Sequence, residues 1–259
     1  MCLEDSTALR PLKWYRSLSE SKFRREEGYF LVEGIKAIDQ VFSSSPQSIE
    51  EILLTNELLE KKSFGVIPCR ILSSQQIQMV SSVKTSQEII ALVKIPEHAY
   101  SPELPSVAGE RVLLLENLQD PGNVGTLIRT AAALNYSGVI LSGQCADPYS
   151  PKVVQATSGC LFSIWVRKTV QYLTIIENLK KDDYCIFAAD VHGEPHVDFS
   201  RAQKHVLVLG NEGSGLTDEM LSVSDKKFSI PIKSTNAESL NVAVSGGIAM
   251  FSGMLGKGW

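Results

Sequence analysis

From Arg111 to the end of the chain, short apolar runs alternate with helical patterns, and this alternation limits the fold more than any other feature. Strands are expected at Arg111–Glu116 (which contains VLLLE), Gly138–Leu141, Phe162–Val166, Cys185–Ala189, His205–Leu209 and Phe228–Ile232. Helices are expected at about Val124–Leu134, near Pro151–Ser158, and at Tyr172–Lys180, Thr217–Val223 and Leu240–Leu255. Strands without a polar face, set between helices, imply a parallel sheet covered on both sides.

The segment 101–109, SPELPSVAG, combines prolines with small residues and reads as a linker. Ahead of it, Ser17–Phe23 reads as a helix and Tyr29–Val32 as a strand. Gly34–Phe42 places Ile35, Ile38, Val41 and Phe42 at helical spacing, and Ile49–Leu54 and Ile89–Val93 read as strands. The expected layout is therefore a small α/β unit over 1–100, a linker over 101–109 and a parallel-sheet α/β domain over 110–259.

A formal net charge of -4 over 259 residues gives no bulk attraction for nucleic acid, so such a partner has to be met locally. One cluster qualifies: Arg10, Lys13, Arg16, Lys22, Arg24 and Arg25 stand against the single acid Glu20. It is either a solvated helix face or an RNA contact, with Arg16, Lys22, Arg24 and Arg25 as the candidates. The five cysteines are scattered with no C-x-x-C pair, which argues for a reducing compartment and against a zinc site or disulfide framework. Met1–Asp5 is acidic and lacks an apolar core, so no secretory signal is expected there, and no apolar run approaches the ~18 residues of a membrane span. A soluble cytoplasmic protein is the expectation. His192 and His196, in HGEPH, invite a metal reading, but two loop histidines alone are expected to be structural or solvated, and no metal is expected.

Three loops follow strands and precede helices, where parallel sheets place their ligand sites. In NLQDPGNVGTLIRT (117–130), Asp120, Pro121 and Gly122 set a turn; Asn123 either caps the next helix or touches a ligand, and Arg129 lies six residues further on. In LGNEGSGL (209–216) the glycines stand at 210, 213 and 215. This is neither a dinucleotide fingerprint nor a P-loop, but it permits close backbone approach to a flat ligand, with Glu212 held between glycines. In IPIKSTNAESLNVAV (230–244), Ser239 and Asn241 frame Leu240 at a helix start, and either could be a plain cap. The helix after them is apolar on nearly every face and carries small residues, so it is buried in the domain or sits at a subunit interface.

Taken together, the stretches ENLQDPGNVGTLIRTAAAL, LVLGNEGSGL and SIPIKSTNAESLNVAVSGGIAM resemble the SpoU, or TrmH-like, family of RNA ribose 2′-O-methyltransferases of the SPOUT superfamily. The match runs over roughly Arg111–Phe251. The front half, with FLVEGIKAIDQVF and KTSQEIIALV, resembles the family's RNA-binding extension, a small ribosomal-protein-like fold; Gln87-Glu88 stands where that pattern has Gln-Gly. The resemblance implies a trefoil knot in the C-terminal domain, a homodimer formed through that domain, and S-adenosylmethionine as methyl donor. It implies donor contacts from Leu209, Gly210, Asn211, Gly213, Ile230, Ile232 and Leu240. It also implies catalytic roles for Asn123, Arg129, Glu212, Ser239 and Asn241, with Arg129 reaching a site formed with the partner subunit.

By resemblance Arg129 is the base that takes the 2′-hydroxyl proton. A guanidinium holds its own protons tightly, so the alternative is that it binds a neighbouring phosphate and stabilises the developing alkoxide. The expected substrate is 23S-type ribosomal RNA; transfer RNA, or an inactive RNA-binding protein of the same fold, are the alternatives. A nucleotide-dependent oxidoreductase would need G-x-G-x-x-G after the first strand with an acid about 20 residues on, and this sequence has neither.

Overall fold

The computed structural model describes residues 10–83, 86–195, 199, 202–233 and 239–255. The chain forms two compact units, Met1–Glu97 with Tyr149–Phe162, and His98–Pro148 with Ser163–Trp259.

In the first unit, helices α1 (Leu12–Ser17) and α2 (Ser21–Glu27) precede strand β1 (Tyr29–Glu33) and helix α3 (Ile35–Ser44). Strand β2 (Ile49–Leu54), helix α4 (Asn56–Lys61), strand β3 (Cys69–Ile71), helix α5 (Ser74–Val80) and strand β4 (Ile89–Lys94) follow. The sheet order is β1-β4-β2-β3, antiparallel except for the β2–β3 pair. Central β4 buries Ile89–Val93 on both faces, which accounts for its unbroken apolar run. One face packs Tyr15, Leu18, Leu53, Ile77 and Leu92 into a core. On the other, Phe30 meets Tyr149 and Phe162, with ring centroids 5.1 and 6.0 Å apart. Helix α7 (Pro151–Thr157) therefore packs with this unit, a correction to its expected place inside the C-terminal domain.

The helix expected over Ser17–Phe23 is instead two short helices broken at Leu18–Glu20. The break is held from within by Arg24, which is 1% exposed and whose Nη1 donates to Leu18 O at 2.9 Å and Ser19 O at 2.7 Å. Arg24 is thus a structural residue and not the RNA contact that its charge suggested; Arg16, Lys22 and Arg25 are exposed. Glu88 has φ +61°, a left-handed conformation that glycine enters without strain, which explains the glycine of the pattern it departs from. Gln87 beside it accepts from Ile35 N at 3.2 Å, tying this turn to the start of α3.

The second unit has strand β5 (Arg111–Leu115), helix α6 (Pro121–Ala133), strand β6 (Gly138–Ser142) and strand β7 (Trp165–Thr169). Helix α8 (Tyr172–Lys181), strand β8 (Tyr184–Pro195) and strand β9 (Lys204–Leu209) come next. Helix α9 (Asp218–Val223), strand β10 (Lys226–Ser229) and helix α10 (Val242–Leu255) complete it. All neighbours in the sheet, ordered β10-β8-β9-β5-β6-β7, are parallel. The direction of travel reverses between β5 and β9, the place where parallel sheets set a ligand site beyond their carboxyl ends. The 101–109 segment is packed and not a free spacer: Trp165 Nε1 donates to Ala108 O at 3.0 Å and Arg167 Nε to Glu103 O at 2.6 Å. Strand β10 ends at Ser229, earlier than expected, which leaves Ile230–Ile232 outside the ladder. The threading expected of the C-terminal segment turns on residues 234–238, which lie outside the described residues. No helix among the described residues is long and apolar enough to cross a membrane.

Replacing Arg24 by Ala removes a buried cation that satisfies two carbonyls, and the expected loss is about 2–4 kcal/mol of unfolding free energy. Arg25→Ala, at an exposed position, should change stability by less than about 0.5 kcal/mol. Urea melts of both variants check the contrast.

Candidate active site at the sheet edge

Helix α6 begins at Pro121 because Asp120 caps it: Asp120 Oδ1 accepts from Asn123 N at 2.7 Å, and proline occupies the first helical position, where no donor is needed. The cap is therefore Asp120 and not Asn123, so the Asn123 side chain remains available. Its Nδ2 donates to Glu212 Oε1, and its Oδ1 accepts from Asn241 Nδ2 at 3.1 Å. One side chain thus joins all three loops. Asn241 also caps α10, its Oδ1 accepting from Ala243 N at 2.9 Å and Val244 N at 3.3 Å.

The second loop is a tight hairpin. Asn211 and Gly215 exchange backbone hydrogen bonds of 3.1 and 2.9 Å, and a Cβ on Gly210 would lie 2.5 Å from the Gly215 carbonyl group. Only glycine fits there. Asn211 Oδ1 accepts from Gly213 N and Ser214 N, while its Nδ2 donates to Asn117 O at 3.1 Å, which ties the hairpin to the end of β5.

Glu116 completes this arrangement, and sequence reasoning passed over it as the last letter of a strand. It is fully buried and accepts from Thr217 N (2.8 Å), Thr217 Oγ1 (2.8 Å) and Tyr172 Oη (2.6 Å). A carboxylate with three donors can remain buried, and it fixes the far end of the glycine loop against β5. Burial first, then the hydrogen bond to Glu116, pushes the Tyr172 phenol up to about 12, so it remains a donor at physiological pH. The available signal was an acid ending an otherwise apolar strand.

Helix α10 lies against α6 and β9. At Gly246 a Cβ would meet Leu127 at 2.4 Å and Leu209 at 2.6 Å, so a small residue is required for this approach. Arg129 belongs to the exposed stripe of α6 with Gly122, Thr126 and Ala133. Ser239 is exposed and Leu240 half-buried, both just ahead of α10. Ile230 is half-buried and Ile232 is 38% exposed. His192 lies in β8, and His196 falls outside the described residues. Among the described residues no cluster of three or more histidine, cysteine or acidic side chains could hold a metal.

Residues 110–251 match the model of the SpoU rRNA methylase family. The chain belongs to this family. Residues 11–91 match the MRM3-like substrate-binding domain. The 23S rRNA (guanosine(2553)-2′-O)-methyltransferase RlmP of Bacillus subtilis is 29% identical over 250 residues, covering 95% of this chain and 97% of that one. A solved TrmH-family structure from Porphyromonas gingivalis superposes with a TM-score of 0.81 at 28% identity, covering 95% and 98% of the two chains. An AdoMet-bound rRNA methyltransferase from Sinorhizobium meliloti superposes at 0.78 and 28% identity, covering 94% and 93%. The three loops that Asn123 joins all lie within the residues matched to this family.

Glu116→Gln sets an amide N–H against donors and should cost about 1–3 kcal/mol. Amide exchange at Thr217 is expected to accelerate by at least about tenfold, as 1.4 kcal/mol corresponds to a factor of ten. Unchanged exchange would separate Glu116 from the loop.

Proposed function

We propose that this chain transfers a methyl group from S-adenosylmethionine to a ribose 2′-hydroxyl of 23S-type ribosomal RNA. The observation that carries the reading is the hydrogen-bonded line Glu212–Asn123–Asn241, which gathers the three family loops at the carboxyl edge of the sheet. The similarity of the whole chain to a ribosomal RNA 2′-O-methyltransferase favours ribosomal over transfer RNA.

The residues suit the donor by their chemistry. Leu209, Gly210, Ile230, Ile232 and Leu240 offer main-chain polar groups and aliphatic surface without charge, the surroundings that an adenine and its ribose require. Asn211 and Gly213 shape the hairpin that would lie against them. When bound, S-adenosylmethionine supplies a methyl on a sulfonium and so carries the driving force of the reaction. The protein's task is then to orient the partners and to help the 2′-hydroxyl lose its proton. Glu212 places negative charge beside the donor site, and Asn123, Ser239 and Asn241 hold the loops and the ribose through hydrogen bonds. Arg129 engages an RNA phosphate and stabilises the developing alkoxide.

The molecule acts as a homodimer through its C-terminal unit. Val244, Ile248 and Phe251 form an exposed apolar stripe on α10 at i, i+4, i+7 spacing, 51%, 42% and 41% exposed. The stripe lies on a helix that packs against α6, which carries Arg129, so a partner seated there would close the site. Cysteines in thiol form and the ribosomal substrate favour a cytoplasmic location.

Arg129→Ala should lower methyl transfer to ribosomal RNA by about 10²–10³-fold or more while leaving donor affinity nearly unchanged. Tritium transfer and calorimetry read the two quantities, and normal turnover would remove Arg129 from the reaction. Ile248→Glu is expected to yield monomers in sedimentation; a dimer of wild-type affinity would place the interface elsewhere.

A further inference from the structure

The N-terminal unit carries a groove that the methyl-transfer site does not use. Helix α1 turns Tyr15 into the core, with Leu18 buried just beyond its end, which leaves Lys13, Arg16 and Ser17 on the outer face. Helix α5 buries Ile77 and Val80 but presents Met79, 59% exposed. Between these helices lies a concavity of about 470 Å³. Its apolar wall is Leu12 and Met79; Lys13 and Arg16 supply its positive charge. Ser17, Ser19 and Glu20 line the remainder, and the Leu18–Ser19 turn is fixed from beneath by the buried Arg24 guanidinium.

The charge pattern is selective. Arg10, Lys22, Lys61, Lys62 and Lys94 each pair with a carboxylate. Among the described residues neither Lys13 nor Arg16 has an acidic partner within 4.0 Å, although the chain as a whole is net negative. Two cations with no ion-pair partner beside a soft apolar wall, with Glu20 on the same rim, match a ligand with both an anionic and a flat apolar part.

We propose that this groove seats one unpaired nucleotide of the substrate RNA, its base against Leu12 and Met79 and its flanking phosphates on Lys13 and Arg16. The inference rests on the RNA-methyltransferase reading and adds to it where the substrate is gripped. The volume lies in the range of small-ligand pockets. Proteins read RNA mainly through such splayed-out bases, which offer a stacking face and a free hydrogen-bonding edge. The Ser17 and Ser19 hydroxyls and the Glu20 carboxylate provide acceptors for a ribose hydroxyl or a base amino group. An acidic peptide would satisfy the cations but leave the apolar wall exposed.

The test uses the full chain and a fluorescent eight-nucleotide oligouridylate, with polyglutamate as competitor. Lys13→Ala/Arg16→Ala should weaken binding about tenfold, and losing two phosphate contacts should flatten the salt slope by roughly 1.4, at about 0.7 per contact. Lys61→Ala/Lys62→Ala removes equal charge outside the groove and should cost less than about threefold. Met79→Ala should weaken binding about threefold with the salt slope unchanged. Oligonucleotides carrying 4-thiouridine should crosslink to the peptides that contain Leu12 or Met79. Equal losses for the two double variants, crosslinks confined to the second unit, or polyglutamate binding as tightly as RNA would each overturn the proposal. Methyl transfer by the wild-type chain on the same samples reports separately on the parent reading.

Discussion

Asn123 stands 89 residues from Glu212 and 118 from Asn241 in the chain, yet its one amide group hydrogen-bonds to both. Closing loops of that length is entropically unfavourable, and two side-chain hydrogen bonds of about 1 kcal/mol each cannot drive it. The closure is supplied by the parallel sheet, whose buried strands bring the carboxyl ends of β5 and β9 side by side as a consequence of burying their apolar faces. The amide then sets the final geometry among loops that the sheet has already gathered. Because Asp120 takes over the helix cap, Asn123 is not consumed by its own backbone, as asparagine at a helix start usually is.

The same division of labour holds around Glu116. A buried carboxylate is costly unless both of its oxygens are hydrogen-bonded, and here Thr217 and Tyr172 supply three donors. Glu116 thus links β5, α8 and the end of the glycine loop, while the Asn211–Gly215 hairpin shapes its middle. The helix that closes the domain can come near only because Gly246 lacks a side chain.

In the N-terminal unit charge is used differently. The basic cluster divides by burial: Arg24 faces inward and braces a turn, Arg10 and Lys22 are neutralised by neighbouring carboxylates, and Lys13 and Arg16 remain open to solvent. A protein with net negative charge can still hold RNA if a few cations are left uncompensated at one place, since phosphate contacts act over roughly a Debye length.

The sequence by itself determined the strand and helix order of the C-terminal unit, its parallel sheet, the three loops and the family they resemble, because apolar periodicity and turn residues are local properties. It missed α4, β3 and α5, short elements with little apolar periodicity. It also misplaced Tyr149–Phe162, whose aromatic partner Phe30 is more than a hundred residues away. Only the tertiary structure could show that Asp120 and not Asn123 caps α6, that Glu116 anchors a loop, and that Arg24 is internal while Arg16 is not. These depend on which long-range neighbour satisfies each polar group, and burial couples residues whose spacing along the chain carries no trace of the contact.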